Sequence, residues 1–171
     1  NNTAIGHSAL AVNTTGANNT GVGYGALDAN TTATANTAVG FNSLGTNITG
    51  AANAAFGAYS MTVNTTGSNN VALGYGALHA TTTADSNVAI GTNAMTANTT
   101  GASNTAIGYH ALDANTTAAN NVAIGREALT ANTTGTENTV VGAYALDANT
   151  TGSYNVAMGN NALGTQTTGS Q

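Results

Sequence analysis

The sequence has no lysine, and Arg126 is its only arginine. Nucleic-acid binding needs a basic face that displaces phosphate counterions, and one cation cannot make such a face. Cysteine is absent too, which removes disulfides and thiolate metal sites and is neutral on compartment. With no tryptophan and aromatics at 5% of residues, a thick mixed core is not available. Charged residues of both signs make up 4% of the chain, against roughly 25% in an ordinary soluble domain. A net charge of −5 over 171 residues gives only a weak field. Apolar runs stop after a handful of residues, far short of a membrane-spanning helix, so no membrane insertion is expected. The chain opens at Asn1 without an initiator methionine or a leader pattern, and reads as a processed product or as a piece of something longer.

What is present is mostly Gly, Ala, Asn and Thr, and its order is periodic. The motif Asn–Thr/Val–Ala–Ile/Val–Gly begins at Asn2 and returns at Asn19, Asn36, Asn53, Asn70, Asn87, Asn104, Asn121, Asn138 and Asn155. Every interval is 17 residues, with no insertion or deletion, so ten units cover residues 2–171 as a single array. Positions are numbered from each unit's first Asn. Position 5 is always glycine: Gly6, Gly23, Gly40, Gly57, Gly74, Gly91, Gly108, Gly125, Gly142 and Gly159. Position 4 is always a sizeable apolar residue, from Ile5 through Phe56 to Met158, and position 9 is always Leu or Met. Positions 6, 7, 10, 16 and 17 vary freely.

Two large apolar residues among alanines cannot close a core within one unit, but stacked units can bury them as continuous ladders. Positions 1–5 are β-prone, and strand alternation puts positions 2 and 4 on one face and the small residue at position 3 on the other. The expectation is a buried Ile/Val ladder at position 4 and a buried Leu ladder at position 9, with positions 8–11 as a second short strand. Glycine at position 5 ends the first strand, where positive φ or close backbone contact excludes a Cβ. The Asn-Thr-Thr-Gly run at positions 12–15 is turn chemistry. The ten Asn and ten Gly of positions 1 and 5 are therefore candidate structural ladders, the Asn amides bonding to the copies above and below.

Helix is excluded by the recurrent glycine and by the lack of any 3.6-residue apolar period. Disorder is opposed by ten units in unbroken phase, because a disordered chain has no phase to protect. The predicted fold class is all-β: a parallel β-solenoid or β-roll of ten 17-residue coils, fibrous, and homotrimeric or filament-forming. At about 4.8 Å per coil the rod is roughly 48 Å long. Neither end carries an atypical capping unit, so the array is expected to be a segment of a longer fibre or to stack end to end on copies of itself.

Asn87, Val88, Ala89, Ile90 and Gly91, and likewise Asn121 to Gly125, resemble the S-V-A-I-G core of YadA-like heads in trimeric autotransporter adhesins. The likeness continues into Ala94-Met95 and Ala128-Leu129, and the N-T-A-[IV]-G-Y-x-A-L units also resemble bacteriophage tail-fibre repeats. The resemblance implies a parallel β-roll, three chains side by side, and an adhesive or spacer role outside the cell or on a virion. Here the unit is longer than the family's, the excess falling in the Asn-Thr-Thr-Gly turn.

Against that frame the chemistry-bearing residues are sparse. His7, His79 and His110 sit in units 1, 5 and 7 and are too far apart to converge, so they read as surface residues. Asp28, Asp113 and Asp147 share position 10 but in non-adjacent units, so no carboxylate pair forms. Arg126 and Glu127 can make a surface ion pair, with Glu137 later in the same unit. Tyr24, Phe41, Tyr75 and Tyr109 at position 6, with Tyr59 and Tyr144 at position 7, form an interrupted aromatic column that reads first as packing and second as a sugar or partner surface. N-x-T sequences at Asn13, Asn30, Asn47, Asn64, Asn98, Asn115, Asn132 and Asn149 are candidate glycan attachment sites, with turn composition as the plainer explanation. The threonine rows raise ice binding, but adjacent threonines are expected to alternate in and out.

The expected function is a structural extracellular fibre on a cell or virion surface, a bacterial adhesin or phage tail-fibre shaft, acting as a stiff spacer and attachment surface. Its expected partners are copies of itself, as a homotrimer or end-to-end filament, and a host-surface glycan or protein. No cofactor, metal or catalytic residue is expected, and the chain is not read as an enzyme. The alternatives are a self-assembling filament or functional amyloid, and an ice- or glycan-binding β-solenoid.

Overall fold

The computed structural model describes residues 1–170; Gln171, the last position of the tenth unit, lies outside the described residues. Among those residues the architecture is all-β. Each unit contributes one three-residue strand: β1 (Thr3–Ile5), β2 (Thr20–Val22), β3 (Thr37–Val39), β4 (Ala54–Phe56), β5 (Val71–Leu73), β6 (Val88–Ile90), β7 (Thr105–Ile107), β8 (Val122–Ile124), β9 (Thr139–Val141) and β10 (Val156–Met158). They pair in sequence order as a ten-stranded parallel sheet. Each residue lies opposite its equivalent in the next coil, as Thr3 does with Thr20 and Ile90 with Ile107. The chain is thus a β-solenoid with one 17-residue repeat per coil, as the periodicity predicts.

Inside and outside of the strand are the reverse of the expectation. Ala55 and Ala72 at position 3 are fully buried, whereas Phe56 and Leu73 at position 4 are 40% and 47% exposed. The core is built from the small residue at position 3, Ala or Ser at position 8, and Leu or Met at position 9. The reason is steric. The residue of position 9 reaches across a thin coil and fills most of it, leaving the facing strand room for a small residue, alanine in most coils and at the largest Val140, which is fully buried.

The second strand is also corrected. Positions 6–11 form a run of turns, and the residues at positions 7 and 9 have positive φ in every coil, as at Asn93 (φ 54) and Met95 (φ 55). A left-handed leucine costs roughly 1–2 kcal/mol, while burying its side chain contributes about 1.5–3 kcal/mol. The conformation therefore persists because it aims each Leu or Met into the core. The main chain stays satisfied by bonds between coils: Leu112 N–H donates to the Ala128 carbonyl (3.0 Å), and Thr105 N–H to the Asn121 carbonyl (2.8 Å).

The position-5 glycines all have positive φ, and all but Gly159 of the last coil also stand in close backbone contact with the next coil. Gly91 has φ +134, and a Cβ there would lie 2.5 Å from the carbonyl oxygen of Gly108 in the next coil. Here the chain leaves the sheet and neighbouring backbones are in contact, so no side chain fits.

Candidate interaction faces and internal ladders

Two asparagine ladders run along the rod, an unbroken one where expected and a second, interrupted at Thr81, where it was not. At position 1, the backbone N–H of Asn36 donates to Asn19 Oδ1 (2.9 Å), while Asn19 Nδ2 donates to the Ala33 carbonyl (2.8 Å). The same pair of bonds recurs up to Asn155, and the amides from Asn19 onward are buried. Each side chain thus ties its own turn together with one atom and the next coil with the other. A buried amide so placed has both of its hydrogen-bonding functions met.

The second ladder is at position 12. Asn30 Nδ2 donates to Asn13 Oδ1 (2.9 Å), Asn47 to Asn30 (3.1 Å), Asn64 to Asn47 (2.7 Å), and after a break Asn115 to Asn98 (2.8 Å). Each also closes its own turn by donating to the carbonyl three residues on, as Asn47 does to Gly50 (2.9 Å). These are the residues read from sequence as candidate glycan sites. Asn30, Asn47, Asn64, Asn98, Asn115, Asn132 and Asn149 are fully buried, and Asn13 is half-buried with Nδ2 bonded to the Gly16 carbonyl (3.0 Å). A glycan on the seven buried nitrogens has no room in the folded coil, so the attachment reading is corrected there, and Asn13 Nδ2 is committed to closing its own turn. The missed signal was the frequency of Asn at position 12, in eight of ten units, where turn chemistry alone is more permissive.

Three outward faces remain. The first is the sheet face itself, formed by positions 2 and 4. Its rungs are Thr3/Ile5, Thr20/Val22, Thr37/Val39 and so on to Val156/Met158, apolar or threonine throughout and without one charged residue. The second is a threonine ridge. Positions 13 and 14 both face outward, correcting the expected alternation, because the segment is a bend and not a strand. The position-13 hydroxyls bond along the stack, as Thr99 Oγ1 does to the Thr116 carbonyl (2.9 Å). Position 14 is threonine in all ten units and exposed.

The third face carries the aromatic column. His7, Tyr24 and Phe41 stack with ring centroids 5.2 and 5.3 Å apart and planes within 11°. Ala58 interrupts position 6, but Tyr59 at position 7 steps into the gap and meets Phe41 edge-on at 5.2 Å and Tyr75 at 5.8 Å. Higher on the rod, the Arg126 guanidinium lies 5.8 Å from the Tyr109 ring and 5.3 Å from the Tyr144 ring, and pairs with Glu127 at 3.1 Å. His110 Nδ1 lies 2.7 Å from Asp113 Oδ2, a pair the sequence reading did not make because it compared histidines only with one another. Among the described residues no three His, Asp or Glu side chains converge.

Comparison with protein-family models, with curated proteins and with solved structures finds no match to this chain.

Proposed function

We propose that the chain is the shaft or head of an extracellular fibre, a stiff spacer that also serves as an attachment surface. The observation that carries this reading is the outward, uncharged, apolar face of a ten-stranded parallel sheet on an otherwise uniform rod. Backbone ladders, two asparagine ladders and a leucine column all run along one axis, so resistance to bending is what the fold supplies best. The outward position-4 column, half-buried at Val22, Val39, Ile90, Ile107, Ile124 and Val141 and exposed at Phe56 and Leu73, is the natural place for sister chains to meet, since a rod this poor in charge tends to associate. Three copies around a common axis would bury it, in keeping with the likeness to trimeric adhesin heads. On this reading the rod works by mechanics and surface presentation, without catalysis or a cofactor, outside the cell or on a virion.

Sedimentation equilibrium with negative-stain images tests this reading. A mass three times that of the chain, in short rods, is the expected result. A single-chain mass would overturn the trimer, and open-ended polymer would make the filament itself the function. The unbroken column of outward threonines at position 14 favours a second reading, ice binding, and thermal hysteresis above that of a control protein would support it.

A further inference from the structure

The aromatic face is not uniform along the rod. Position 7 carries a side chain in eight of ten coils, and in unit 5 it is Gly76. Two coils separate Tyr59 below this gap from Asn93 above it, roughly 9–10 Å. The missing side chain opens a cavity of about 300 Å³ lined by Tyr59, Tyr75, Gly76, His79, Asn93 and Thr96. That is near the lower end of small-molecule sites, about 300–1,000 Å³. Its volume matches one ring.

Its walls have a definite chemistry. The Tyr59 and Tyr75 rings stand at 78° to one another with centroids 5.8 Å apart, and Tyr59 also meets His79 edge-on at 6.5 Å. Thr92 follows Tyr75 at position 6, so no third ring covers Tyr75, whereas Tyr24 is sandwiched between His7 and Phe41 at the other glycine coil, Gly25. The Asn93 amide oxygen leans over Gly76, 2.6 Å from where a Cβ would stand. Among the described residues the Tyr59 and Tyr75 hydroxyls and Asn93 Oδ1 have no hydrogen-bond partner, and His79 uses only Nδ1, at 3.3 Å from the Tyr59 carbonyl oxygen. No carboxylate, lysine or arginine lines the space.

We infer that this cavity is a binding site for one neutral pyranose ring, the end or a single unit of a glycan. A pyranose offers an apolar C–H face to one tyrosine and a rim of hydroxyls, each both donor and acceptor, to the free phenols, the imidazole and the amide. An anionic ligand finds no cation in the lining. A cationic one finds two rings but no carboxylate, and its attraction would be the cation–π term alone. The inference deepens the reading of the rod as an attachment surface and rests on it, by naming what one stretch of that surface attaches to.

Saturation-transfer NMR on the intact chain tests it, with D-glucose, D-galactose and N-acetyl-D-glucosamine as probes and choline as the cationic comparison. At least one sugar is expected to bind at millimolar concentration. Tyr75→Ala and Gly76→Asn should each weaken it roughly tenfold or more, the scale of one lost aromatic contact or a filled cavity. Asn already occupies this left-handed position at Asn42, Asn93 and Asn161, so Gly76→Asn keeps the coil folded. Tyr24→Ala should leave binding unchanged. The site is overturned if none of the three sugars binds, if binding survives both substitutions, or if choline alone binds. Sedimentation of the same sample separates the two ideas: a trimer without sugar binding removes the site only, and sugar binding to single chains removes the trimer only.

Discussion

At the residue scale, what distinguishes this chain is how completely two asparagine columns consume their own hydrogen bonds. The exception is informative. Position 12 of the fifth unit is Thr81, whose hydroxyl donates to the Asn98 carbonyl (3.2 Å) and cannot reach the amide below it. Asn64 Oδ1 is consequently the one buried side-chain polar atom without a partner among the described residues. Thr81→Asn should restore a donor to Asn64 and an acceptor for Asn98, raising stability by about 1–2 kcal/mol. A higher denaturation midpoint than the parent is the expected outcome, and an unchanged or lower one would mean the ladder is not cooperative across that coil. The position-1 ladder was legible in the sequence because Asn never varies there. The position-12 ladder left only the frequency of Asn as its signal, since Asn before Thr-Thr-Gly also fits a turn and a glycan site until burial is known.

Across one coil, the decisive feature is which residues face inward. The 17-residue phase, the parallel strand, its end at glycine and the turn at positions 12–15 all follow from the sequence. The sidedness of the strand does not. Alternation says only that positions 2 and 4 share a face, and assigning the larger residues to the core was reasonable but backwards. Left-handed leucine at position 9 is the hidden cause, because it turns a segment that reads as strand into one that fills the coil alone. Glycines divide on the same grounds. Gly91→Ala meets both a φ of +134 and the Gly108 carbonyl, and should cost roughly 3 kcal/mol or more. Gly101→Ala, at position 15, also brings a Cβ onto the Ala118 carbonyl and Asn98 Oδ1, but it carries no positive φ, and Ala33, Ala84 and Ala118 show that the coil can shift to seat alanine there, so it should cost clearly less than Gly91→Ala. Denaturation midpoints of the two variants check the contrast, and equal losses would contradict it.

For the whole molecule, the balance is between a very thin core and a long repeated contact surface. Each coil buries little more than one leucine or methionine, so stability has to come from neighbours on both sides and the rod is quasi-one-dimensional. The same economy leaves the Ile/Val column outside, on a face without charge that runs the length of the sheet. That face is the centre of the functional account. Sedimentation equilibrium of Ile107→Glu beside the parent chain tests it most directly, because Ile107 sits mid-rod at an outward position 4. The account predicts that the variant keeps the parent's far-ultraviolet circular dichroism and drops from three chains to one. A variant that unfolds would place Ile107 in the core after all, and one that remains trimeric would move the contact between chains to another face.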